Sequence, residues 1–143
     1  MATQGFEFAY SLDGSVPVVR EFEVDGTGSY GVGDLVTFTS GQLAKVANTA
    51  NTVAAVLQES RASGSDGQKM KAAIITSQQV WRCSFDAATY SASIGARTQD
   101  VAGSRLLDAD DAGNGSLVLI DAVADPHATN PVGYVVFSNV HFG

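Results

Sequence analysis

The stretch GVGDLVTFTSGQLAKV, residues 31 to 46, constrains the fold more than any other part of the chain. Two short apolar runs flank Ser40-Gly41, and Gly33-Asp34 precedes the first. A two-residue loop at Ser40-Gly41 sets a hairpin register with Thr39 opposite Gln42, Phe38 opposite Leu43 and Leu35 opposite Val46. Side chains alternate across a strand, so the Phe38–Leu43 and Leu35–Val46 pairs point to opposite faces. A hairpin apolar on both faces needs further chain on each side, as in a compact barrel or sandwich.

The rest of the chain repeats this economy of short apolar runs ended by turn residues. Phe6, Phe8 and Tyr10 alternate as one face of an extended segment, which Asp13-Gly14-Ser15 breaks. Val16 to Val24 resumes strand, with Pro17 near its start, where a missing N–H does least harm. The spacing of Leu43, Val46, Ala50, Val53, Ala54 and Leu57 also fits an amphipathic helix. Against the helix stands NTANT at 48–52, whose side chains compete with the backbone and favour turns. A strand, a loop and a buried strand Val53 to Leu57 are therefore expected. RASGSDGQ at 61–68 reads as an exposed loop, before a strand pair over Lys69 to Thr76 and Gln79 to Phe85. DAATYSASIGARTQDVAG is weakly patterned, with room for one helical turn. LLDADDAGNGS is an acidic turn, and strands over Leu117 to Ile120 and Val132 to Phe137 end the series.

These segments imply a mostly β fold class, a small barrel or sandwich with an extended N-terminal arm and little helix. Residues 1–27 form the arm and a lead-in strand, and residues 28–143 a single β-rich domain. With 15 Gly, 3 Pro and 16% charged residues, the composition suits many turns between short strands and not long solvated helices. A chain of 143 residues buries roughly 68–70% of its unfolded surface, enough for a core without disulfide or metal.

Charge excludes several partners. The net charge is −7, and the 8 Lys and Arg residues are scattered from Arg20 to Arg105 instead of clustered as phosphate binding requires. Lys69 and Lys71 share one strand face and read as a solvated face. No apolar run approaches the roughly 18 residues of a membrane span, and the N-terminus lacks the charged and apolar regions of a signal peptide. Synthesis and retention in the cytoplasm, with no nucleic-acid and no membrane partner, are expected. Cys83 is the single cysteine, so no internal disulfide forms. In QVWRCSF, alternation groups it with Trp81 and Phe85, the setting of a small buried hydrophobe and not of a nucleophile.

No constellation supports catalysis or a cofactor. Counting Asp108 as the first position of a calcium loop that includes Asp110, Asp111 and Asn114, the fifth is Ala112 and the twelfth Leu119, where ligands are needed. His127 and His141 are too few and too far apart for a metal set. Gly26, Gly28, Gly31 and Gly33 lack the following Lys and the helix of a phosphate loop. QKMKAAI superficially resembles the lysine hairpin of biotin and lipoyl carrier domains, but Met70 lies between two lysines and an apolar strand stands where the tip belongs.

The order of segments carries one resemblance. Gly33-Asp34-Leu35-Val36, then Ser40-Gly41-Gln42-Leu43-Ala44-Lys45-Val46, then Val53-Ala54-Ala55-Val56-Leu57 is similar to the opening of tailed-bacteriophage head decoration (cement) proteins. These are related to the lambda head-stabilising protein and its β-tulip fold. Ala54-Ala55 stands where that family commonly has a Gly, and the likeness extends over residues 28 to 138. The resemblance implies a non-enzymatic protein on the exterior of the virion, a homotrimer bound to the major capsid protein that stabilises the expanded head. The N-terminal arm either folds over its own barrel or a neighbouring protomer, or is mobile in the free protein and adds as an edge strand to a capsid subunit, with Phe6, Phe8 and Tyr10 contacting the capsid. The alternative is a small β-rich binding module, carbohydrate-binding or tail-associated, displaying Tyr30, Trp81 and Tyr90 on a concave face.

Overall fold

A computed structural model describes residues 5–47, 52–89, 94–95, 101–109, 117–125 and 128–142. Among these residues there are nine strands and no helix: β1 (Glu7–Ser11), β2 (Val19–Glu23), β3 (Leu35–Thr39), β4 (Gln42–Lys45), β5 (Ala55–Leu57), β6 (Lys69–Ile74), β7 (Gln79–Ser84), β8 (Leu117–Val123) and β9 (Val132–Phe137). They form two antiparallel sheets, one of four strands in the order β1-β7-β9-β8 and one of five in the order β2-β6-β5-β3-β4.

The opening hairpin has the expected register, with Thr39 opposite Gln42 and Phe38 opposite Leu43. The Val46 amide donates to the Leu35 carbonyl at 2.9 Å and extends the ladder by the expected pair. Its loop places Ser40 at φ 52° and Gly41 at φ 82°. Positive φ at both central residues is the signature of the type I′ turn, whose twist matches that of the flanking strands.

The two faces of this hairpin lie in two different cores. Leu35 and Val46 face the four-stranded sheet, in a cluster with Val56, Ile75, Trp81, Cys83, Phe85, Leu119 and Phe137. This is the main core, packed between the sheets. Val36 and Leu43 belong to a second cluster with Val24, Tyr30, Leu57, Met70 and Ala72, on the other side of the five-stranded sheet. That sheet curls around the second cluster until Val24, just past β2, bridges to Leu43 of β4. The curl stops short of a closed barrel, and the fold is a sandwich.

The C-terminal segment covers the second core. Asn139 and His141 hydrogen-bond to Val53 through backbone groups at 2.9 Å, carrying the chain across from β9 to the five-stranded sheet. Phe142 then packs on Phe38 and Phe22, at centroid distances of 5.9 and 6.4 Å. Burial of this face explains why residues 53 to 57 are apolar without alternation: Val53 to Leu57 have cores on both sides. The strand was expected there, and β5 with its Val53 bridge replaces the amphipathic helix that the spacing also allowed.

Gly33-Asp34 has a definite structural task. Gly33 adopts φ 92°, its amide donates to the Leu57 carbonyl and its carbonyl accepts from Phe6, so it ties three segments together. Asp34 is buried at the start of β3. Its carboxylate accepts from the Gly31 amide at 2.7 Å, the Ser104 hydroxyl at 3.1 Å and Arg105 Nη1 at 3.0 Å. A buried carboxylate is tolerable only when so satisfied, and here it fastens the 101–107 segment over the main core.

Of the two readings of the N-terminal segment, the structure has the one folded onto its own body. In place of a mobile arm it is strand β1, paired antiparallel with β7 along Glu7↔Arg82, Phe8↔Trp81, Tyr10↔Val80 and Ser11↔Gln79. Two large aromatics, Phe6 and Phe8, join the main core, and that apolar burial holds the segment down.

Candidate functional site

The side chains expected to contact a capsid do not act together. Phe6 is buried, with its ring 5.6 Å from that of Phe137, and Phe8 stands edge-on to Trp81 at 5.7 Å. Tyr10 is exposed on the opposite face of the sheet. Strict alternation from Phe8 would put Tyr10 on the core side, but the register shifts at Ala9, a β-bulge that adds one residue and reverses the facing of the rest of the strand. Nothing in a run of alternating aromatics announces a bulge.

Tyr30, Trp81 and Tyr90 are the aromatics that the sequence offers for a saccharide platform. Trp81 is fully buried, its indole N–H donating to Gln79 Oε1 at 3.2 Å. Tyr30 is buried between the cations of Lys45 and Arg61, 5.4 and 5.2 Å from its ring centre, and its hydroxyl donates to the Asp25 carbonyl. Burial and the nearby Asp25 carboxylate push the phenol pKa up. Both rings are structural. Tyr90 lies outside the described residues, as do His127, Asp110, Asp111 and Asn114. His141 sits in the C-terminal segment, 3.4 Å from Thr37 Oγ and edge-on to Phe38.

Cys83 lies where alternation puts it, fully buried in the main core with Trp81 and Phe85. Its thiol donates to the Arg105 carbonyl at 3.1 Å, and burial pushes its pKa far above that of an ordinary thiol. A group held protonated and enclosed is no nucleophile. Among the described residues, no three His, Cys, Asp or Glu side chains converge as a metal site.

The fold does display an apolar edge. β1 ends one sheet and β2 ends the other, and the chain crosses between them through residues 12 to 18. Asp13 and Gly14 turn this crossover, with the Ser15 amide and hydroxyl donating to Asp13 Oδ1 and holding that carboxyl below its ordinary pKa. Along it, Leu12, Val16 and Val18 stand in solvent, Val16 with 74% of its surface free, while the exposed Val19 and Val32 lie with Pro17 on the other side of the chain. Beside the strip, a groove of about 370 Å³ opens between the two edge strands, lined by Phe6, Phe8, Pro17, Val19, Val32 and Trp81 among others. The free side of β2 carries Arg20, Glu21 and Glu23, charges that discourage open-ended strand pairing. Exposed apolar side chains gathered on one crossover are of the kind that suits protein contact. In the sequence, Val16 to Val24 reads only as a strand, because period-two alternation does not reveal which strand lies at an edge.

Comparison with known protein families, with characterised proteins and with solved structures finds no match for this chain.

Proposed function

We propose that this protein is a non-enzymatic decoration (cement) protein of a tailed bacteriophage head. It binds the outer surface of the expanded shell through the major capsid protein and stabilises that state. The observation that carries this reading is the exposed apolar strip of the 12–18 crossover with its adjoining groove, a surface suited to gripping protein. The order of segments that resembles the decoration family adds to it. The best-formed interior chemistry of the molecule, at Asp34, Tyr30 and Cys83, is committed to holding the fold.

Decoration works by mass action: a protein that binds the expanded lattice better than the precursor shifts the equilibrium toward expansion by its difference in affinity. Each contact is modest, and a homotrimer engaging several subunits at once multiplies it. Acidic charge is suited to the exterior of a DNA-filled shell, because nothing there draws the protein to phosphate.

The test is co-sedimentation with expanded and with precursor heads of the phage that encodes the protein. Wild type is expected to pellet with expanded heads preferentially. Val16→Glu combined with Val18→Glu should abolish pelleting and leave the melting curve unchanged, since both side chains are exposed. Failure to bind either form of head overturns the decoration reading. Binding undiminished by the double substitution keeps that reading and removes the strip as its contact.

A further inference from the structure

The outer face of the four-stranded sheet, turned away from the main core, is built by two bulges that lie on opposite edges and act alike. In β1, Phe8 pairs with Trp81 and Tyr10 with Val80, so Ala9 is the extra residue and Tyr10 turns outward. In β8, Leu119 pairs with Val135 and Asp121 with Tyr134, so Ile120 is the extra residue and Asp121 turns outward. Plain alternation from the core-facing Phe8 and Leu119 would have driven both Tyr10 and Asp121 into the core. Between the two edges, Glu7, Arg82, Tyr134 and Asp121 stand opposite one another in a row across all four strands. The result is a shallow groove of about 510 Å³ with two phenol rings, a carboxylate on either flank and a guanidinium between them.

Charge and shape limit the ligands such a groove accepts. Arg82 donates from Nε and Nη2 to the same Glu7 oxygen, each at 2.9 Å, so its charge is matched within the protein. Asp121 accepts from its neighbour Ala122 through Oδ1 at 2.8 Å, and its other oxygen remains as an acceptor. The row is therefore acidic on balance, in a chain of net charge −7, and disfavours phosphates and carboxylates. Its many polar groups equally disfavour a purely apolar ligand, whose arrival would strip them of water. A sugar ring satisfies both limits. Its C–H face packs on a tyrosine ring, while its hydroxyls donate to carboxylates and accept from phenol or guanidinium.

We propose that this face is a binding site for a neutral saccharide, with Tyr10 as the stacking platform, Glu7 and Asp121 as hydroxyl acceptors, and Arg82 and Tyr134 as donors. The groove falls within the roughly 300–1,000 Å³ usual for small-ligand sites. It shares Glu7 and Phe8 with the groove beside the crossover, but its polar row is its own and it does not depend on the decoration reading.

The test is a titration of the 15N-labelled full chain with neutral disaccharides of gluco, galacto and manno configuration, monitored by amide chemical shifts. Saturable shifts confined to residues 7–10, 80–82, 121–123 and 134 are expected with at least one sugar, at a Kd of about 1 mM. Tyr10→Ala and Asp121→Asn should each weaken binding at least tenfold while both variants keep the wild-type melting curve, as exposed positions allow. Absence of saturable shifts up to about 50 mM of every sugar overturns the proposal, since a weaker site would have no useful affinity. Shifts on another face, or affinity unmoved by both substitutions, overturn it as well.

Discussion

At the scale of single residues, the groups with unusual environments are those that hold the two cores together. Cys83 is buried in the main core with its pKa raised by desolvation, and this makes a pH-dependence with a definite sign. In the unfolded chain the thiol ionises near its ordinary value of 9.0, while in the folded chain it stays protonated well above that. The unfolded state therefore binds fewer protons from about pH 9 upward, and stability falls there by up to about 1.4 kcal/mol per pH unit. Cys83→Ala should flatten this alkaline limb while costing about 1–2 kcal/mol at neutral pH, read by denaturant melts at pH 7, 9 and 10. The native thiol should also resist a thiol reagent until denaturant is added, and rapid labelling without it would place Cys83 on the wrong face. Asp34 is the more demanding case. Asp34→Ala removes a buried acceptor from the Gly31 amide, Ser104 and Arg105, and should lower stability by about 3 kcal/mol. Arg105→Ala leaves the Asp34 carboxylate, only 2% exposed, without its nearest cation and should be destabilising to a comparable degree.

At the scale of elements, the hairpin and β1 make opposite predictions about tolerance. Gly41 sits at φ 82°, where any side chain meets its own backbone, so Gly41→Ala should cost about 1 kcal/mol or more in chemical melts. Ser40→Asn, which suits the same turn better, should leave stability equal or higher. β1 tolerates no such trimming. Deleting residues 2 to 12 removes Phe6 and Phe8 from the main core and uncovers the edge of β7, and the truncated chain should lose its cooperative melt. Retention of the wild-type melting temperature would mean that β1 contributes little and that the segment is an arm after all. For this reason shell binding is better probed on the crossover strip, where substitution leaves the core intact.

At the scale of the whole molecule, two surfaces displayed by the described residues are chemically different. One is an apolar strip joining the sheet edges, and the other is a polar, aromatic face on the four-stranded sheet. Self-association through the apolar strip brings together chains that each carry −7. Repulsion between them is screened beyond about 10 Å at 0.1 M salt, and a surface of valine and leucine supplies no compensating ion pairs. Sedimentation equilibrium should therefore show association that tightens modestly as salt rises from about 0.05 to 0.5 M, the reverse of a charge-paired interface. Weakening with salt would point instead to contacts through Arg20, Glu21 and Glu23.

Residues acting on their near neighbours decide part of this structure. The Ser40-Gly41 turn dictates the β3–β4 register because its backbone twist allows one pairing, and the period-two pattern around Cys83 assigns its face without reference to any other strand. The strands β7 and β9 and the buried run at 53–57 were legible for the same reason: local apolar spacing is a property of sequence. The position of a strand within its sheet is not. The two strands whose place matters most, β1 and β2, are edges, and only the assembled sheets show that β1 has a partner in β7 and that the crossover leaves valines uncovered. The bulges at Ala9 and Ile120 belong to the same class. A one-residue slip costs little locally, is settled by how Phe8 and Leu119 fit the core, and reverses the facing of Tyr10 and Asp121, so tertiary packing alone determined that these two side chains face solvent.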